Sequence, residues 1–226
     1  MQDNNKNPIT LNDVVDTVEN RVSKITEEFR GGFNFLKCNE KSVTFWGSAR
    51  TNENNDYYKS ARSLGGKVAK DLGYSVVTGG GPGIMEAANR GAFENGGISL
   101  GLTIELPGGQ CTNKYLTAHY DYYYFFIRKV SLSFSAEAYI FFPGGYGTLD
   151  EFFEILTLVQ TGKIRRIPII LFGSKFWNKL DSFIKDSVLS MENIDSFDTT
   201  LYTITDDESE AIEIIRKAPV RNELVC

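Results

Sequence analysis

The chain has 226 residues, 42% of them hydrophobic, which suffices for one sizeable domain with a buried core and is cramped for two. Its 24 Lys and Arg stand against 29 Asp and Glu, a net charge of −5, and no basic block is dense enough to neutralise a run of backbone phosphates; a nucleic acid polymer is not an expected partner. Cys38, Cys111 and Cys226 are odd in number and lack CxxC spacing, Met1-Gln-Asp-Asn-Asn-Lys6 lacks the make-up of a signal peptide, and no apolar run reaches membrane-spanning length. The expectation is a cytoplasmic protein without disulfide framework, zinc site or membrane partner.

Residues 1–40 read as an N-terminal helical extension and 41–226 as the main domain. In the extension Leu11, Val14, Val15, Val18, Val22, Ile25 and Phe29 recur at helical spacing, and Gly31-Gly32 is expected to end the run. Such an amphipathic helix needs a surface, either its own core or a second subunit. From Ser42 onward, short runs apolar on both faces (43–46, 75–78, 98–104, 138–142 and 168–172) alternate with helical patterns near 56–72, 82–95, 127–137 and 149–162. Continuous apolar strands between helices predict an α/β fold: a Rossmann-like, doubly wound parallel sheet with helices on both faces, in a single domain plus the extension. The tail adds a helix near 177–190, a strand at 201–204 and a helix opened by Asp206-Asp-Glu-Ser209.

Ligands of such sheets bind beyond the carboxyl ends of the strands, where three Gly-rich turns fall: Gly47-Ser-Ala-Arg50, Gly79-Gly-Gly-Pro-Gly83 and Pro143-Gly-Gly-Tyr-Gly147. Ile84 stands where the dinucleotide pattern GxGxxG needs its last glycine, and Gly162-Lys163 lacks the rest of a Walker A loop. The third turn carries more. A buried strand runs into Gly144, Gly145, Tyr146, Gly147 and Thr148, and Leu149, Phe152, Phe153, Leu156 and Val159 follow at helical spacing. A glycine turn at a helix N-terminus offers unpaired N–H groups and the positive end of the helix dipole to an anion, with the Thr148 hydroxyl as a further donor.

Glu151 has two readings. Thr148-x-x-Glu151 has the form of a capping box, and the same carboxylate stands one turn beyond the cradle, where it could act on a ligand. Asp150 reads as a complement to the helix dipole. Glu86, in the first turn after the second Gly-rich loop, divides between that role and ribose contact, and Met85 between core and pocket lining. Arg128-Lys129 near a helix start oppose the dipole, which points to an answering negative charge, against the alternative of a solvated pair. His119, the only histidine, reads as a loop residue, so a histidine triad or histidine-rich metal site is not expected.

Together, Gly47-Ser-Ala-Arg50, Gly79-Gly-Gly-Pro-Gly-Ile-Met-Glu-Ala87, Arg128-Lys129 and Pro143-Gly-Gly-Tyr-Gly-Thr-Leu-Asp-Glu151 resemble the LONELY GUY family of phosphoribohydrolases, whose older label is lysine decarboxylase, over roughly residues 42–175. The loop Gly-Ile-Met-Glu-Ala and the N-terminal extension resemble the longer bacterial subgroup. The resemblance implies that 41–226 is a nucleotide-binding catalytic domain. It would hydrolyse the N-glycosidic bond of a purine nucleoside 5′-monophosphate, a cytokinin riboside monophosphate or AMP, to free base and ribose 5-phosphate. By the same resemblance Arg128 and Glu151 are catalytic. Gly47, Ser48, Lys129, Gly144, Gly145, Tyr146, Gly147 and Thr148 are implied to bind substrate, and Met85 and Glu86 are added to the expected binding set from their place after the second Gly-rich loop. No metal or organic cofactor is implied, and the assembly is a homodimer or higher homo-oligomer with the site near the subunit interface. The alternatives are a non-catalytic nucleotide-binding or carrier protein on this fold, and a decarboxylase, which requires a Schiff-base lysine that no context here supplies.

Overall fold

The computed structural model describes residues 11–37, 41–104 and 112–219, with side chains from Thr17 onward. The three cysteines lie outside the described residues, so the expectations attached to them stay with the sequence. The chain opens with α1 (Leu11–Lys37), followed by β1 (Ser42–Trp46), α2 (Asp56–Leu72), β2 (Ser75–Thr78), α3 (Ile84–Glu94) and β3 (Ser99–Ile104). Next come β4 (Ala118–Tyr122), α4 (Phe125–Ser133), β5 (Ala138–Phe141), α5 (Tyr146–Gln160) and β6 (Ile169–Phe172). The chain ends with α6 (Ser174–Phe183), a π turn and a 3₁₀ turn, β7 (Thr203–Thr205) and α7 (Glu208–Lys217).

The strands form one seven-stranded sheet in the order β4-β3-β2-β1-β5-β6-β7, every pairing parallel. Two cores, one per face, account for the doubly apolar strands. On one face Val43, Phe45, Val76, Ile140 and Ile170 pack with Leu64 and Val68 of α2, Ala88 of α3 and Ile212 of α7. On the other, Trp46, Val77, Leu100, Tyr139 and Phe141 pack with Leu36 of α1, Ile127 of α4, Phe152 of α5 and Trp177 of α6. β1, β2, β3, β5 and β6 are buried along their whole lengths, as parallel strands covered on both sides must be.

Two expectations are corrected. β4 is an additional edge strand, and His119 lies in it rather than in a loop. Its residues are largely exposed, so it lacks the continuous apolar signature that marks its neighbours. Helix α1 also runs through Gly31-Gly32 to Lys37. Those glycines serve close approach: a Cβ on Gly31 would stand 2.0 Å from Tyr120 Oη, and one on Gly32 2.0 Å from Tyr122 Oη. The carboxyl-terminal half of α1 therefore docks on its own domain, where the buried Glu28 carboxylate accepts from the N–H groups of Tyr123 (3.0 Å) and Tyr124 (3.2 Å) at the start of α4. Val18 and Val22 in the other half are exposed.

Candidate active site

The strand order reverses between β1 and β5. There Gly47 to Thr51 leave one strand and Pro143 to Gly147 leave its neighbour, opening a crevice at the carboxyl edge of the sheet. Ser48 ties the loops together. Its N–H donates to Pro143 O (3.1 Å), and its carbonyl accepts from Ile84 N (3.1 Å) at the start of α3. Gly83, at φ 71°, has to be glycine, because a Cβ would meet Ser48 O at 2.3 Å. A cavity of about 930 Å³ results, and Gly47, Ser48, Met85, Arg128, Gly144 to Thr148 and Glu151 all line it.

The cradle follows from the way α5 begins. Gly145 is the N-cap residue, and no side chain caps the helix. The amide groups of the first turn thus face the cavity without an internal acceptor from a side chain, which makes this end of α5 a place for an anion. A Cβ on Gly144 would lie 2.1 Å from Thr148 Oγ1, so the threonine hydroxyl folds over that glycine. At Gly145 and Gly147 a Cβ would meet nothing within 4 Å. The protein leaves that space open.

This geometry closes one reading of Glu151. Since α5 starts at Tyr146, Thr148 is inside the helix and Glu151 lies beyond its first turn, so the pair forms no capping box. The same shift removes Asp150 from the first turn; its carboxylate pairs instead with Lys129 Nζ at 2.7 Å. Glu151 is 5% exposed, and its Oε2 is buried without a hydrogen-bond partner. Burial raises its pKa to about 7, against the opposing pull of Lys129 and Arg128. Arg128, from α4, is also buried. Its Nε donates to Leu102 O at 2.6 Å and its Nη2 to Gly79 O at 3.5 Å, which fixes the plane of the guanidinium between β3 and the residue that follows β2. Burial lowers the Arg128 pKa, with Glu151 opposing that shift.

Two of the expected binding residues stand outside the cavity wall. Lys129, next in sequence to Arg128, is rotated about 100° around α4. It pairs with Asp150 and with Glu154 Oε2, each at 2.7 Å, in an adjoining groove between α4 and α5 that also holds Phe126 and Phe153. Burial alone would lower the Lys129 pKa, but its bonds to the two carboxylates outweigh this and hold it above the usual lysine range. Glu86 does sit in the first turn of α3, where its Oε1 accepts from Tyr58 Oη at 2.9 Å, and it does not line the cavity. Met85, by contrast, is a wall residue. Further lining comes from Trp46, Asn55, Tyr57, Phe125 and Phe176, which the motif reading passed over, and from Arg50 of the first Gly-rich turn, to which it gave no role. Trp46 ends β1, Arg50, Asn55 and Tyr57 follow it, and Phe176 follows β6, so the rule that ligands sit beyond strand ends was the available signal.

Fold and site together define a doubly wound α/β protein with a glycine-rich, uncapped helix N-terminus and a buried carboxylate and guanidinium lining the cavity at its switch point. A family model described as "possible lysine decarboxylase" matches residues 85–215, more than half of the chain, and the chain belongs to that family. A relative from Rhodococcoides fascians, named cytokinin riboside 5′-monophosphate phosphoribohydrolase, is 27% identical over 153 residues, 66% of this chain and 76% of the relative. One of the same name from Arabidopsis thaliana is 27% identical over 154 residues, covering 67% and 70%. The resemblance to the LONELY GUY proteins is thus borne out. Among solved structures, the molybdenum cofactor carrier protein of Chlamydomonas reinhardtii superposes with a TM-score of 0.58 at 23% identity, covering 79% of this chain and 97% of the other, a likeness of fold. Among the described residues no lysine lines the cavity, and a pyridoxal imine requires a lysine amine.

No helix among the described residues is long and apolar enough to cross a membrane. No group of three or more metal-ligating side chains occurs among them either.

Proposed function

We propose that the chain hydrolyses the N-glycosidic bond of a purine nucleoside 5′-monophosphate, AMP or a cytokinin riboside monophosphate, to free base and ribose 5-phosphate. The observation that carries this reading is the buried, unpaired Glu151 carboxylate on the helix whose N-terminus forms the open cradle, beside the buried Arg128. The activity named for the two relatives supports it.

The 5′-phosphate sits on the amide groups of the Gly144 to Thr148 turn with the Thr148 hydroxyl. Holding it there fixes C1′ relative to Glu151, so binding energy remote from the reacting bond serves orientation. As the C1′–N bond breaks, its electron pair leaves with the base and positive charge grows on the sugar. The Glu151 carboxylate faces that charge and takes a proton from the water whose oxygen bonds to C1′. Arg128 stabilises the negative charge moving onto the purine as an electrostatic and hydrogen-bonding group, and the base gains its proton from solvent. Phe125 and Tyr146 at the cavity mouth, with Phe126 and Phe153 exposed on the adjoining groove, form an aromatic surface that fits a homodimer with the site near its interface.

The test is incubation with AMP and with isopentenyladenosine monophosphate, measuring free base and ribose 5-phosphate from each. Release from one or both is expected, and the pattern identifies the base. AMP binding without release from either substrate would replace the hydrolase with a nucleotide carrier.

A further inference from the structure

Two buried side-chain polar atoms of the cavity wall have no hydrogen-bond partner: Glu151 Oε2 and Trp46 Nε1. Buried polar atoms are nearly always paired, so two orphans on residues that line one cavity call for a common cause. They are chemically complementary, since an indole N–H can only donate and a carboxylate oxygen can only accept. Trp46 is the last residue of β1, 7% exposed, with its ring stacked on Phe141 at a centroid separation of 6.2 Å and an interplanar angle of 5°. Its carbonyl accepts from Phe142 N at 2.8 Å, so the indole is anchored to the strand that runs into the cradle. Trp177 shows how this protein treats an indole without such a role: its Nε1 is shared between Phe141 O (3.1 Å) and Phe172 O (3.2 Å).

We infer that the Trp46 indole N–H donates to the same hydroxyl-type oxygen that donates to Glu151, either the attacking water or a ribose hydroxyl. An oxygen of this kind accepts from one orphan and donates to the other, and satisfies both at once. Trp46 then fixes the direction from which that oxygen meets C1′. The inference rests on the hydrolase reading for the identity of the sugar, while the site itself rests on the two orphans.

Trp46→Phe keeps an aromatic ring beside Phe141 and removes the N–H together with part of the buried indole. The lost bulk should lower the thermal midpoint, while the N–H, unpaired in the free protein, adds nothing to that loss; the ligand readouts therefore carry the test. The expected result is at least a tenfold fall in kcat on AMP, together with a tenfold loss of affinity for ribose 5-phosphate by titration calorimetry. The product's anomeric hydroxyl carries the oxygen of the attacking water, so 1,4-anhydroribitol 5-phosphate, which lacks it, separates the two sources. A loss confined to ribose 5-phosphate identifies the water, and an equal loss for both ligands identifies a ribose hydroxyl. Should the variant not fold, the wild-type indole resonances give the answer: ribose 5-phosphate should shift the Trp46 N–H signal and leave that of Trp177 in place. Turnover and affinity both within twofold of wild type, or an unmoved Trp46 resonance at saturation, overturn the inference. If wild-type protein releases no base from any nucleotide, the hydrolase reading falls separately, and ribose 5-phosphate affinity alone decides the role of Trp46.

Discussion

The turns after β2 and β5 look alike in sequence, each a glycine cluster with a proline, a following helix and a glutamate, and they are opposites in structure. In the first, glycine serves the protein's own packing. A Cβ on Gly79 would meet Arg128 Nη2 at 2.2 Å, Gly80 and Gly83 have φ of 73° and 71°, and the loop hangs on a buried network. There Thr78 Oγ1 donates to Asn89 Oδ1 (2.6 Å) and accepts from Gly80 N (2.9 Å), while Asn113 Nδ2 donates to Gly81 O (3.1 Å). In the second, Gly145 and Gly147 border space that nothing in the chain occupies. The glutamates divide the same way: Glu86 is satisfied by Tyr58, and Glu151 is left buried without a partner for Oε2. A glycine cluster alone therefore does not mark a ligand site; unfilled space beside an unpaired group does.

The largest expected effect sets the two glutamates against each other. Glu151→Gln should lower kcat on AMP by roughly 10³-fold, on the scale of losing a positioned general base, while Glu86→Gln stays within about threefold. Equal losses in steady-state turnover would erase the distinction. The glycines come next. Gly83→Ala should cost about 3 kcal/mol or more in chemical denaturation, because it combines a left-handed backbone with a backbone clash. Gly145→Ala should leave stability within about 0.5 kcal/mol, since its Cβ meets nothing within 4 Å, and should raise KM for AMP at least tenfold if the proposed phosphate seat is there.

The third expectation concerns pH. With Glu151 near 7 and required as carboxylate, kcat/KM should climb about tenfold per pH unit below that value and level off above it. A raised folded-state pKa also stabilises the fold fully below the ordinary carboxylate value, and this contribution is lost as pH rises through about 7. Glu151→Gln should accordingly be more stable than wild type at pH 8, by roughly 1–3 kcal/mol, and equal to it near pH 4. The smallest effect belongs to Lys129. Removing its charge in Lys129→Met leaves only Arg128 to oppose Asp150 and Glu154 at Glu151, which should push the acid limb upward by about half a unit and reduce activity at pH 7 a few-fold, with recovery at pH 8.5. A substrate-contacting Lys129 would instead show a raised KM at every pH.

Most of the scaffold was legible because five strands are buried on both faces and carry that fact in their composition. β4 was not, since an exposed edge strand reading Ala-His-Tyr-Asp-Tyr carries no such pattern. The cradle was legible from strand, turn and helix in sequence. The start of α5 was misplaced by three residues, because Tyr146-Gly147-Thr148 are weak helix formers that tertiary packing nevertheless draws into the helix. That small error created the apparent capping box. Lys129 and Glu86 show the other limit: motif spacing cannot reveal which side of a helix meets the cavity. Trp46 escaped notice because an indole at a strand end looks like core until its N–H is found unpaired.

Glu28 gives the N-terminal helix a meaning that the word extension hides. By holding the amides of Tyr123 and Tyr124 it places a negative charge at the positive end of α4, one turn ahead of Arg128. The guanidinium is thus aimed from two directions: by the Gly79 and Leu102 carbonyls at its tip and by a carboxylate some 100 residues earlier in the chain at the root of its helix. A version trimmed to begin at β1 would keep every motif residue and lose the footing on which one of them stands.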